Sequence, residues 1–226
     1  MSNPDWKSAF LFNDEKGLGR HLTIIEGDNL RTVELTNAVR RAPSAGPPDG
    51  DLVARCRQGD RGAWRLLYER HAPTVHRFIC ALGVPEPERE DACQEVFIAI
   101  YRSLGRFRGD ARLSTWIYRI AARGANRLVQ RRRLNALLST LLLREPAPAP
   151  APDPSEKTAR VHLLDDMLKR LHPKKRTVLV LFEIEGLPIE EIARVVGCPE
   201  NTVWSRLHHA RAELAKMAMM ASRRAQ

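Results

Sequence analysis

Apolar residues recur at helical spacing in two separate stretches of the chain. In the first, Phe97, Ile100, Tyr101 and Leu104 mark one face; in the second, Val203, Leu207, Ala210 and Leu214 do the same. No alternating pattern of strand type competes with them, so the predicted fold class is all-α, with helices packed through amphipathic faces. Residues 1–48 lack strong periodicity and are expected to be mostly disordered, with short elements conceivable around Leu22 to Ile25 and Val33 to Leu35.

Two proline-rich breaks divide the pattern. The run Arg-Glu-Pro-Ala-Pro-Ala-Pro-Ala-Pro-Asp-Pro-Ser from Arg144 to Ser155 cannot continue a helix, because proline lacks the donor and its ring clashes with the preceding turn. A second break, Ala42 to Gly50, sets off the N-terminal segment. The expected organisation is an extension over 1–50, a helical module over 51–143, a Pro/Ala-rich linker over 144–158 and a second helical module over 159–222. Just before the linker, Leu134, Leu137, Leu138, Leu141 and Leu142 form an apolar stripe that needs cover from the fold or from a partner, and is too short to span a membrane.

Charge sharpens this picture. The chain of 226 residues carries 37 Lys plus Arg against 27 Asp plus Glu, a formal net charge of +10. Residues 102–133 hold ten arginines and one acid, Asp110, so nearly all of the surplus lies in one segment, whereas residues 1–48 balance six bases with six acids. Nucleic acid is the expected partner of such a segment. Cys56, Cys80, Cys93 and Cys198 form no CxxC pair, and no signal peptide or long apolar span is seen, which predicts a reducing cytoplasm and no stable membrane insertion. The cysteines and histidines, His208 and His209 included, form no set of metal ligands, so no metal and no cofactor are expected.

The second module reads as a helix-turn-helix over Leu187 to Leu207. Pro188 is expected at the first helical position, Gly197 in the left-handed conformation that ends the helix, and Pro199 at the start of the next. Ile192, Val196, Val203 and Leu207 would then meet as a small core. With Val203, Leu207 and Ala210 inward, Thr202, Ser205, Arg206 and His209 share the outward face. Arg206 matches guanine bidentately, Thr202 and Ser205 are short donors, and Arg211 lies further along for backbone contact. Trp204 flanks the row, either covering core or packing on sugar-phosphate; core is the commoner role for an aromatic.

The first module carries Glu90-Asp-Ala-Cys-Gln-Glu-Val-Phe97, Arg106-Phe-Arg-Gly-Asp110, Ser114-Thr-Trp-Ile-Tyr-Arg-Ile-Ala121 and Arg131-Arg-Arg133. On these motifs, followed by the helix-turn-helix, the chain resembles the extracytoplasmic-function sigma factors of bacterial RNA polymerase. Their regions two and four correspond to residues 51–135 and 160–220. The resemblance implies that Asp91, Gln94, Glu95 and Phe97 dock on the clamp of the largest polymerase subunit. Their spacing gives one polar face beside core-facing Phe97 and Ile100, which spacing alone does not separate from a solvated surface.

The resemblance also implies that Arg106 to Asp110 and the helix after it open the minus-ten element, with Phe107 near the captured base and Arg106, Arg108, Arg112 and Arg119 on phosphates. Trp116 either braces the DNA fork or fills core beside Ile117 and Ile120. Arg123 and Arg127 stand where the family often has asparagine or aspartate. With Gln130 and Arg131 they form a stripe suited to duplex phosphates. The second module would read the minus-thirty-five element, with Leu163, Leu164, Leu168, Val178, Leu181 and Phe182 building its core and cradling the flap of the second-largest subunit. Promoter DNA, core RNA polymerase and an anti-sigma factor are the implied partners. A free-standing helix-turn-helix regulator is the alternative. A nucleic-acid enzyme is disfavoured, since no phosphate-cradling glycine loop, carboxylate cluster or nucleophile-base arrangement is found.

Overall fold

The structure, a computed structural model, describes residues 21–26, 29–34, 49–143 and 165–224. The linker over 144–158, Leu163 and Leu164, and the side chains of Leu141 and Leu142 lie outside the described residues. In the extension, β1 (His21–Glu26) pairs antiparallel with β2 (Asn29–Glu34), His21 opposite Glu34 and Ile25 opposite Leu30. These strands are rich in β-branched residues, which favour extended backbone. Residues 21–26 and 29–34 are therefore a strand pair, at the places where short elements are conceivable from the sequence; the other residues before 49 lie outside the described residues. Both modules are helical, as their periodicity predicts.

The first module comprises α1 (Asp49–Arg57), α2 (Arg61–Ala81), α3 (Arg89–Ser103) and α4 (Leu113–Leu143). Asp60 starts α2 by accepting hydrogen bonds from the backbone N–H groups of Gly62 and Ala63, and Arg55 holds its carboxylate from α1 at 2.7 Å. That guanidinium bond, with the two backbone donors, keeps the Asp60 carboxyl below its ordinary value. Leu67, Phe78, Ile79, Ile100 and Leu104 are fully buried between the helices. Each contributes on the order of 1.5–3 kcal/mol through burial.

Helix α4 is about 46 Å long at 1.5 Å per residue. Its buried side follows Leu113, Ile117, Ala121, Ala125 and Val129 at four-residue steps. The buried stripe ends there, and Leu134, Leu137 and Leu138 are exposed. Tyr101, grouped with the core by spacing, also points outward: its ring stacks on Trp64 at 4.8 Å and 65% of its surface is accessible.

The second module starts in the helical stretch 165–170 (α5), followed by α6 (Pro173–Leu179), a π-helical turn (Val180–Ile184), α7 (Ile189–Val196) and α8 (Glu200–Arg224). Pro173 occupies the first turn of α6, where its missing N–H costs nothing. Leu168, Val178 and Leu181 are buried as predicted, and Phe182 is partly buried. The two modules also touch, with α7 and α6 lying against α4. Their buried residues form one connected cluster from Leu52 to Leu214.

Candidate nucleic-acid interface

The turn between α7 and α8 has the geometry its residues dictate. Gly197 sits at φ +67°, ψ +42°, and its N–H donates to the Ala193 carbonyl, closing α7 in the left-handed conformation that glycine tolerates. Pro188 has extended backbone and precedes Ile189, the first helical residue, so it stands one position earlier than expected. Pro199 likewise precedes α8, its carbonyl accepting from Thr202 and Val203. Ile192, Val203 and Leu207 are fully buried, but Val195 takes the buried place expected of Val196, which is only partly covered.

On α8, Ser205 and His209 are exposed and Thr202 and Arg206 half-buried, one outward row beside the buried Val203, Leu207 and Ala210. His209 Nδ1 lies 2.7 Å from the Ser205 carbonyl oxygen, a bond that sets the ring's orientation. Trp204 is 51% exposed and 6.2 Å from the Phe182 ring, so it is a surface aromatic with one edge braced and not core. Arg211 departs from the row. Its guanidinium bonds Glu183 at 2.5 and 2.9 Å and lies over the Phe182 ring, and is therefore committed to the module's own structure.

Along α4, Arg119, Arg123, Arg127, Gln130 and Arg131 are all exposed. They form a basic row about 18 Å long, opposite the apolar stripe. Arg131 to Arg133 diverge: Arg131 faces solvent, Arg132 pairs with Glu88, and Arg133 donates to the carbonyls of Lys169 and Leu171 in the second module. Ahead of α4, Arg106, Arg108 and Arg112 are exposed, while Phe107 packs 5.4 Å from Trp116, both half-buried. Arg57 donates to the carbonyls of Leu104 and Phe107 and thereby pins the start of this loop to α1. No sequence pattern singled out Arg57, because the contact spans 50 residues.

On α3, Asp91, Gln94 and Glu95 are exposed as one face. That face continues through Ile98 and Tyr101, also exposed, at i+7 and i+10 from Asp91. Phe97 is half-buried at its border, 4.6 Å from the largely exposed Tyr68 ring. The spacing of the polar residues could have identified Ile98; Tyr101 was hidden by its apparent match to the core face.

Among the described residues no group of three His, Cys, Asp or Glu could hold a metal ion, and no helix is long and apolar enough to cross a membrane. The four cysteines are free thiols, and burial pushes those of Cys56, Cys80 and Cys93 upward, away from reactive thiolate.

The sigma-70 region 2 family matches residues 67–134, and sigma-70 region 4 matches residues 162–214. The RNA polymerase sigma-H factor of Pseudomonas aeruginosa is 36% identical over 180 residues, spanning 74% of this chain and 92% of that protein. The ECF RNA polymerase sigma factor SigM of Mycobacterium tuberculosis is 31% identical over 75% of this chain and 84% of its own. Among solved structures, CnrH in complex with the cytosolic domain of CnrY superposes with a TM-score of 0.57 at 27% identity, covering 75% of this chain and 96% of that one.

Proposed function

The chain belongs to the extracytoplasmic-function sigma factors of the sigma-70 family, and on that basis we propose how its residues divide the work of promoter recognition. The factor joins core RNA polymerase and directs it to promoters; it has no catalysis of its own and acts in the cytoplasm. The first module docks on the clamp through Asp91, Gln94, Glu95 and Phe97, with Ile98 and Tyr101 extending the contact. Exposed aromatic and aliphatic side chains beside a polar face match the composition of binding hot spots and their rim.

The minus-ten element is taken by Arg106, Phe107, Arg108, Arg112 and Trp116, with Arg119, Arg123, Arg127, Gln130 and Arg131 on the adjoining phosphates. The minus-thirty-five element is read by Thr202, Ser205, Arg206 and His209, with Trp204 against the backbone. Arg211 holds the helix in place instead of contacting DNA. The observation that carries this reading is the exposed basic row on α4 combined with an exposed recognition face on α8. Tethering two modest contacts raises the effective concentration of the second.

An anti-sigma factor is a further partner. The exposed Leu134, Leu137 and Leu138 offer it an apolar surface, and CnrH, which shares the fold, is held by the cytosolic domain of CnrY. Copurification with core polymerase tests the docking face: the native chain is retained, and Asp91→Ala/Gln94→Ala is lost. Absence of binding by the native chain would instead favour a free-standing regulator.

A further inference from the structure

Helix α1 reaches the loop assigned to base capture through the side chain of Arg57. From the last turn of α1, its Nε and Nη2 atoms both donate to the Leu104 carbonyl at 3.3 Å, and Nη2 donates also to the Phe107 carbonyl. Leu104 and Phe107 bracket the short 3-10 turn that follows α3, joined by a bond from the Phe107 N–H to the Leu104 carbonyl at 3.1 Å. One guanidinium, whose donors are held in a fixed planar fork, therefore grips both ends of the turn. Beyond it Gly109 takes φ +81° as the chain bends back toward α4, and Gly105, Arg106, Arg108, Gly109 and Asp110 are all exposed. Burial contributes little to the order of this loop, so the grip on its backbone matters more than it would in the core.

What the grip fixes is the direction of Phe107. Its main chain is held from α1, and its ring meets Trp116 of α4 at 5.4 Å, so two different helices set where the aromatic face points. Stacking on a base taken out of the duplex is strongest when that face is already in place, because ordering it at the moment of binding costs affinity. Arg57 stands on a firm seat. Leu52, Val53 and Cys56 of α1 are buried, the Cys56 carbonyl accepts from the Trp64 indole at 3.0 Å, and Arg55 holds Asp60 at the start of α2. The guanidinium thus carries the rigidity of the α1–α2 corner into an exposed loop.

From these contacts we infer that Arg57 is a positioning residue for base capture: by bonding the Leu104 and Phe107 carbonyls it sets the Phe107 face, and with it selectivity for the captured base, without touching DNA. The inference rests on the promoter-reading assignment above and adds a residue of α1 to that same site. It separates Arg57 from the outward Arg106 and Arg108, since an arginine on phosphate strengthens binding to every sequence alike, whereas Arg57 acts on one base.

The test uses holoenzyme assembled from the full chain and core polymerase, on a promoter recovered by run-off transcription and prepared as forked templates with each non-template minus-ten base replaced in turn. The position at which Phe107→Ala loses selectivity marks the captured base. Arg57→Ala should lose about tenfold in selectivity at that same position, a change of about 1.4 kcal/mol. Its affinity for core polymerase and the salt slope of its duplex binding should match the native chain, while the Phe107 amide exchanges hydrogen faster. Arg57→Lys keeps the charge without the planar fork and should recover little of the loss; it also decides the matter if Arg57→Ala fails to fold. Arg61→Ala, which removes the same charge from the exposed start of α2, should behave as native throughout. Unchanged selectivity in Arg57→Ala, full recovery in Arg57→Lys, or a salt slope reduced by about 1 with all templates weakened alike overturns the inference. Failure of the promoter-reading assignment looks different: the native holoenzyme then selects no start site, or Phe107→Ala loses selectivity at no position.

Discussion

Arg211 closes on Glu183 at 2.5 Å, joining α8 to the π-helical turn through a carboxylate that is almost entirely buried. Removing one member strands the other in a low-dielectric site, and that costs on the order of 3 kcal/mol. Arg211→Met should accordingly lower the stability of the second module by about that amount, read by thermal denaturation. Pairing it with Glu183→Leu should restore most of the loss, because no uncompensated charge remains. If the double variant is as unstable as the single one, the pair is not the cause.

The arginines of α4 should act on DNA without base preference. Arg123→Ala or Arg127→Ala should weaken binding to every duplex alike and reduce the salt slope of the affinity by about 1 each. Arg206→Ala should behave differently, losing about 1–3 kcal/mol on the preferred site and relaxing selectivity at one base pair. Fluorescence anisotropy across a salt series on matched and mismatched duplexes separates the two behaviours.

On α3, Tyr101 is exposed enough that Tyr101→Ala should leave the melting temperature nearly unchanged. The same change should weaken polymerase binding by about tenfold if the ring is a docking anchor. Phe78→Ala, at a fully buried position, should do the reverse, costing about 3–5 kcal/mol of stability. Parallel melting and polymerase-binding curves check both.

His71 gives the fold a pH dependence. Burial is the main influence holding its imidazole below 6.5, aided by Arg70 and opposed by Asp49, and its Nε2 is buried with no hydrogen-bond partner. As pH falls through about 6.5 the unfolded chain takes up the proton first, so stability is complete above that value and declines toward the lower folded value. The melting temperature should fall between roughly pH 7 and pH 5, and His71→Leu should flatten that decline. An unchanged slope in the variant would assign the pH dependence elsewhere.

Much of this was legible in sequence because the signals are local. Gly197 between two prolines declares the helix-turn-helix, since the left-handed residue and both helix starts lie within a dozen positions. The arginine row follows from helical spacing alone. Tyr101 misled for the same local reason, because its spacing fits the apolar row although Trp64 draws it outward. The hydrogen bonds of Thr115 to Glu191 and of Tyr118 to Glu185, that of the buried Arg176 to the Leu82 carbonyl, and the capture of Arg211 by Glu183 join residues far apart in the chain. Such pairings leave no periodic trace. The π-helical turn that contains Glu183 and ends just before Glu185 likewise carries no glycine or proline to announce it.

Run-off transcription with purified core polymerase on genomic fragments reaches the centre of the account. Added native chain should produce discrete transcripts from a small set of upstream sequences sharing two elements, and Asp91→Ala/Gln94→Ala should abolish them. Transcripts whose start sites are unchanged by adding the native chain would contradict the assignment of these two helical modules to promoter selection.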